Sequence, residues 1–535
     1  MHKKRLNEGS RNFFKSHSAI RTITLFICLS VIAGASINIR AVPQATGPSV
    51  VDPALSVRTA ASGLTTPIGL AFLGANDMFV IEKDTGRVQR VTNGIIQSTV
   101  LDLAVNFASE RGLLGIALHP GFPANPRVYL FWTCRTAGPP VNPFVPDEQE
   151  CPDTPALGAD TDDVLAVPLL ANRVDRFIWN GQTLTFDRNI IKLLAFQNDG
   201  APTPPNQGDQ AQPPRGNHDG GVIRFGPDGK LYIMFGDVGR RSQLQNLPSG
   251  PTLTGLGPTV PDDQFGGPRP DDAHFTGVIL RLNDDGTTPR DNPFLDAVAN
   301  GGQTEEAENI RKIFAYGIRN SFGMAFDPLF GNLWYQENGE DAFDEINRVD
   351  RGMNSGWIQF MGPASRIQEY RAIETTNVDQ EGFPNLQQFR WPPSRIARTP
   401  AEGLSRLFNL SGSVYSDPEF SWRWVLAPAG IGFLSGSALG AQYNGNLFVG
   451  FSTPSPLGGP IFRFQLTGDR TGFTFSDSRL NDLVADNNAS RDMTESESLV
   501  FGSNFGIVTD IQTGPNGNLF VVSLADGNIY EIFRP

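Results

Sequence analysis

The sequence predicts an all-β fold, a six-bladed β-propeller with long loop insertions. Three observations lead there: a strand-turn unit that recurs six times, a composition hostile to long helices, and a closing hairpin at the C-terminus. Gly (57) and Pro (41) are abundant and charged residues make up only 19% of the 535 positions. Gly and Pro both disfavour helix interiors, whereas short strands joined by turns accommodate them.

Each unit is a turn followed by a short alternating strand that carries an aromatic. In chain order the strands are Asp77-Met-Phe-Val-Ile-Glu82, Arg127-Val-Tyr-Leu-Phe-Trp132, Lys230-Leu-Tyr-Ile-Met-Phe235, Asn332-Leu-Trp-Tyr-Gln336, Asn446-Leu-Phe-Val-Gly450 and Asn518-Leu-Phe-Val-Val522. The turns before them include Gly226-Pro-Asp-Gly and Gly514-Pro-Asn-Gly. Asp-Gly and Asn-Gly suit tight hairpins because a positive φ costs little there. Apolar alternation buries one strand face, and a sixfold recurrence matches sheets set round an axis. A β-sandwich or two separate β-domains is the alternative from the repeats alone. The last hairpin, Gly517 to Ile532, needs a strand from the other end of the chain to complete its sheet. Uneven spacing between units implies insertions, the clearest being 136–168, 198–217 and 247–272.

The N-terminus has the layout of a secretory signal peptide. Lys3, Lys4, Arg5, Arg11, Lys15 and Arg21 precede an apolar run from Ile23 to Ile37, with small residues after it. The expected organisation is therefore a signal peptide and linker over residues 1–45 and the propeller over 46–535, in an exported protein (periplasmic, extracellular or at the cell surface). An uncleaved anchor is the rival reading. The apolar run is short for a spanning helix and no later segment is long enough, so no stable membrane span is expected after cleavage. Cys134 and Cys151 flank a Pro-rich loop, and an oxidising compartment favours a disulfide between them. A net charge of −13 argues against a general nucleic-acid partner, which would need cations for phosphates.

Three motifs carry chemistry. Asn217-His218-Asp219-Gly220-Gly221 sets a histidine on a glycine-flanked turn, where it can accept a proton near neutral pH. Asp237, one hairpin later, is placed to hydrogen-bond the ring. Tyr316-Gly-Ile-Arg319-Asn320 offers a cation and an amide donor together, a pair suited to an anionic or carbonyl oxygen. Gln336-Glu-Asn-Gly339-Glu340-Asp-Ala-Phe-Asp344 is dense in the oxygen ligands that hard cations prefer, without the spacing of an EF-hand. The structural alternatives are a turn-closing histidine, an arginine tying two blades, and a solvated acidic loop.

Glu110-Arg-Gly-Leu-Leu-Gly-Ile-Ala-Leu-His-Pro120, the His218 motif with Gly226-Pro-Asp-Gly, Gly277-Val-Ile-Leu-Arg-Leu-Asn283, Tyr316 to Asn320 and Asp344-Glu-Ile-Asn347 occur in that order. Together they resemble the glucose/sorbosone dehydrogenase family, from about Gly63 to Arg534. The resemblance implies a six-bladed propeller that binds pyrroloquinoline quinone (PQQ) and Ca²⁺ and oxidises a sugar or alcohol, with electrons passing to an external acceptor. It implies His218 as general base, Asp237 as its orienting partner, and Arg319 and Asn320 at the quinone oxygens. Backbone carbonyls of Gly339 and Glu340 would hold the metal, with Asp344 supporting that shell and Glu110 on the cofactor.

The chain departs from the family pattern in three places. Glu110 stands where glucose-oxidising members have Gln, and Glu340 stands where Pro is frequent. Quinone-binding members also use Lys and Arg near the C-terminus for the cofactor's three carboxylates. Here 446–456 has no Lys and 502–510 has no Arg; Arg240, Arg241 and Arg423 are the substitutes on offer. Unpaired buried carboxylates are costly. A cofactor-free binding propeller and a Ca²⁺-dependent lactonase-type hydrolase therefore stand as alternative functions.

Overall fold

The computed structural model describes residues 47–107, 109–134, 172–193, 218–238, 275–296, 304–376 and 396–535. The predicted signal segment, Cys151, Arg240 and Arg241 lie outside the described residues. Cys134 is disulfide-bonded.

The described residues form an all-β propeller built from six sheets. In chain order the innermost strands are Pro67–Gly74, Leu113–Leu118, Ile223–Phe225, Met324–Phe326, Pro428–Phe433 and Val508–Thr513. Each innermost strand packs against the next, and Val508–Thr513 returns to Pro67–Gly74, so the ring closes. The six predicted strands all form, and each is the second strand of a different sheet. The last sheet is completed from the other end of the chain, as expected: Ser56–Ala61 pairs antiparallel with Asn528–Phe533. Ser49–Val50 likewise edges the fifth sheet against Val500–Ser503.

Close approach at the axis depends on glycine. A Cβ at Gly115 would meet the Gly221 carbonyl oxygen at 2.1 Å, and one at Gly432 would meet that of Ile511 at 2.0 Å. The core lies between neighbouring sheets and not on the axis. Trp334, Ile346, Phe420 and Trp422 of the fourth sheet pack against Leu447, Val449, Phe462 and Phe464 of the fifth. Equivalent clusters fill the other five inter-sheet gaps. The buried Phe of these clusters serve this packing: a wedge between two twisted sheets is filled by flat rings meeting edge to face, as Phe420 and Trp422 do with centroids 4.9 Å apart. A short helix, Ile367–Thr376, lies in an insertion that packs beside the fourth sheet through Tyr370 and Ile373. No helix among the described residues is long and apolar enough to cross a membrane.

Candidate active site

His218 opens the run into the third sheet with φ +60°, a conformation that costs a non-glycine residue energy. Its backbone N–H is held by the Glu110 carboxylate, donating to Oε2 at 2.6 Å. Its Nδ1 lies 2.6 Å from Asp237 Oδ1. The other Asp237 oxygen accepts the Trp357 indole N–H at 2.8 Å. Indole nitrogen can only donate, so Asp237 acts as an acceptor on both sides. That arrangement places the imidazole proton on Nδ1 and leaves a lone pair on Nε2. Nε2 has no hydrogen-bond partner among the described residues, and the ring is 4% exposed. Gly236 makes this approach possible, because a Cβ there would meet the His218 carbonyl oxygen at 2.2 Å.

The second motif joins the first through the backbone. Asp237 N–H donates to the Arg319 carbonyl at 2.8 Å, and Asn338 N–H to that of Asn320 at 3.0 Å. Asn320 Nδ2 donates to Glu110 Oε2 at 3.2 Å. Glu110 Oε2 thus collects donors from two sheets, a role for which a carboxylate is better suited than an amide. The Arg319 guanidinium, 3% exposed, donates to the Asn338 carbonyl at 2.8 Å and pairs with Glu340. It also lies 5.6 Å from the centre of the Trp357 ring. Arg319 Nε and Asn320 Oδ1 are buried without a partner, polar capacity that a bound group can satisfy.

The third motif is a tight loop braced from two directions. Gly339 N–H donates to Asp344 Oδ1 at 2.9 Å, while Asp344 Oδ2 accepts from Leu426 (2.5 Å) and Ala427 (2.7 Å). Burial pushes the Asp344 carboxyl up to about 6, opposed by those three N–H groups. Glu374, on the insertion helix, accepts from Asp341 and Ala342, both at 3.0 Å; burial raises its carboxyl well above the usual range. A Cβ at Gly339 would meet the Ala342 oxygen at 2.2 Å and that of Phe343 at 2.9 Å, so carbonyl oxygens crowd this turn. Backbone carbonyl oxygens are among the ligands that Ca²⁺ takes. No group of three or more His, Cys, Asp or Glu side chains is arranged as a metal site among the described residues.

Behind Arg319, Glu337 and Glu345 face each other across paired strands. Glu337 accepts the Arg319 N–H at 2.6 Å, and Asn347 Nδ2 lies 2.9 Å from Glu345 Oε2. Burial raises both carboxyls; the Glu337 charge adds to the rise of Glu345, and the Asp237 charge to that of Glu337. Asp219, next to His218, is fully buried; burial pushes its carboxyl up to about 7 against the nearby Arg111 charge.

An axial cavity of about 160 Å³ adjoins this network. Its walls come from all six sheets and are largely apolar, with Leu114, Ile116, Val222 and Phe322 prominent. Glu110 is the predicted site residue on its wall among those described. Lys83 and Arg224 are its cations, Arg224 being paired with Asp510 at 2.8 Å. Arg423, offered as a substitute cation by the sequence, does not reach it. That side chain sits on the strand Phe420–Trp424, 3.3 Å from Glu369, because the fourth strand of a blade lies far from the axis. The sequence missed Trp357, Glu374 and Lys83. Each acts through a contact with a distant part of the chain, and no local pattern marks it.

Fold and site together define a propeller with a buried His–Asp pair beside an axial cavity. Residues 64–142 and 259–399 match the family model Glucose / Sorbosone dehydrogenase. The chain is similar to quinoprotein glucose dehydrogenase B of Acinetobacter calcoaceticus, 25% identical over 506 residues, covering 88% of this chain and 85% of the other. Among solved structures, it resembles the soluble aldose sugar dehydrogenase of Escherichia coli in the apo form, with a TM-score of 0.55, 20% identity and coverage of 90% and 100%. It also resembles the PQQ-bound aldose sugar dehydrogenase of Streptomyces coelicolor, with a TM-score of 0.50, 20% identity and coverage of 90% and 98%. These two likenesses concern the fold. The family-model and sequence matches make the chain similar to glucose/sorbosone dehydrogenases.

Proposed function

We propose that this protein is an exported quinoprotein dehydrogenase, its six sheets serving as six blades, that oxidises an aldose or related alcohol with PQQ and Ca²⁺. The observation that carries the reading is the His218–Asp237 pair, oriented by Trp357 and Glu110, with an unpartnered Nε2. In this reading His218 Nε2 takes the substrate hydroxyl proton, and Asp237 stabilises the imidazolium that results. Arg319 and Asn320 supply donors to the oxygens of the cofactor, and the carbonyls of Gly339 and Glu340 hold the cation, in a loop that Asp344 and Glu374 keep in shape. PQQ supplies, when bound, the hydride acceptor, and Ca²⁺ the positive charge beside it. The unsatisfied Arg319 Nε, a donor, fits a group rich in acceptor oxygens. An external acceptor takes the electrons and completes the turnover.

The test is titration of the calcium-loaded protein with PQQ, followed by dye reduction on addition of aldoses. Saturable binding with sugar-dependent reduction is the expected result; absence of binding at micromolar PQQ would overturn the reading. A second reading, a binding propeller without cofactor, draws on the cavity wall contributed by Ser452, Ile507 and Thr509, which carries no cation.

A further inference from the structure

The axial cavity combines apolar walls with two cations, and the two are not equivalent. Arg224 is committed. Its Nη2 donates to Asp510 Oδ1 at 2.8 Å and its Nη1 to the Ile223 carbonyl at 3.1 Å. Asp510, itself on the cavity wall, cancels its charge.

Lys83 is placed differently. Its backbone is pinned on both sides, its N–H donating to the Thr66 carbonyl at 2.9 Å and its carbonyl accepting from Leu113 at 3.0 Å. Its stem runs over Gly112, where a Cβ would come within 2.9 Å of Lys83 Cγ. The ammonium donates to Asp84 Oδ1 at 2.9 Å and to the Phe107 carbonyl at 3.3 Å. An ammonium has three donors, and the third has no partner among the described residues. Lys83 is 13% exposed and Asp84 37%. The counter-charge therefore lies at the solvent edge, where it is screened, while Lys83 belongs to the cavity wall and Asp84 does not.

We propose that Lys83 is the cation of the axial cavity that holds a carboxylate of the bound cofactor, in place of the lysine and arginines missing from the last two sheets. The inference rests on the quinoprotein reading above. A flat aromatic body against Leu114, Ile116, Val222 and Phe322, with a carboxylate on Lys83, matches both the apolar walls and the single uncommitted ammonium donor. The cation has thus moved from the fifth and sixth sheets to the end of a strand in the first, across the same cavity.

The experiment measures the PQQ dissociation constant of the calcium-loaded protein by absorbance titration, without sugar or dye. Lys83→Met is expected to weaken binding about tenfold or more, the scale of a lost charge-assisted hydrogen bond. Lys83→Arg should recover most of the affinity, and added salt should weaken the wild type more than Lys83→Met. The melting temperature without PQQ reports whether each variant folds. Wild-type binding with an unchanged constant in a folded Lys83→Met overturns this inference and leaves the dehydrogenase reading standing. Failure of the wild type to bind PQQ overturns both.

Discussion

The second to fourth sheets and the fifth and sixth share one axial cavity but are furnished in opposite ways. From the second to the fourth come Glu110, His218, Asp237, Arg319 and Asn320, all buried or nearly so and joined by hydrogen bonds. The fifth and sixth line the same cavity with Ala429, Ser452, Ile507, Thr509, Asp510 and Leu524. Asp510 is the charged residue among these, and it is spent on Arg224. The difference teaches that the proton-handling side of the site is overdetermined. Each member is held by two others, so a single change there leaves a buried polar group unsatisfied. The opposite side is held by packing and by hydrogen bonds to the backbone, such as those of Ser452 to the Ala427 carbonyl and of Thr509 to that of Pro67.

The largest effect should follow from breaking the rich side. His218→Ala is expected to lower kcat by 10² to 10⁴-fold, the range of a positioned general base, with quinone binding little changed and the melting temperature lowered because Asp237 loses a buried partner. Dye-reduction kinetics beside a quinone titration checks it. Asp237→Asn should cost about 10²-fold in kcat and move the pH dependence of the rate, because an amide can no longer stabilise the imidazolium; a pH–rate profile checks it. Glu374→Leu should lower Ca²⁺ affinity about tenfold, since it removes the brace on the Asp341 and Ala342 N–H groups; calorimetry with Ca²⁺ alone reads this.

The poor side is sharpened by adding to it. Ser452→Lys places a cation on the fifth sheet and should tighten PQQ binding about tenfold, with an absorbance titration as the readout.

The smallest effect concerns Asp219. Its folded pKa, about 7, lies above the ordinary 3.8. Between those values the folded protein keeps a proton that the unfolded chain has released, so stability falls as pH rises from about 4 to about 7. Asp219→Asn should flatten that slope in melting temperatures taken across the window.

Much of the ring was legible because its signals are local. A Gly- or Asn-bearing turn before an alternating strand depends on the φ preferences of a few residues and on the period of two. All six strands read this way formed, each in its own sheet. The pairing of His218 with Asp237 was legible for the same reason, since one hairpin separates them. The sequence by itself therefore determined the repeating unit, the closing strand and the candidate base with its partner. The tertiary structure alone decided that Trp357 completes the hold on Asp237, that Glu374 braces the loop at Gly339, and that Arg423 is carried away from the axis while Lys83 is brought to the cavity. The physical reason is that radial position in a propeller depends on which strand of a blade a residue occupies. That in turn depends on how sheets distant in sequence pack around the axis, which no local pattern encodes.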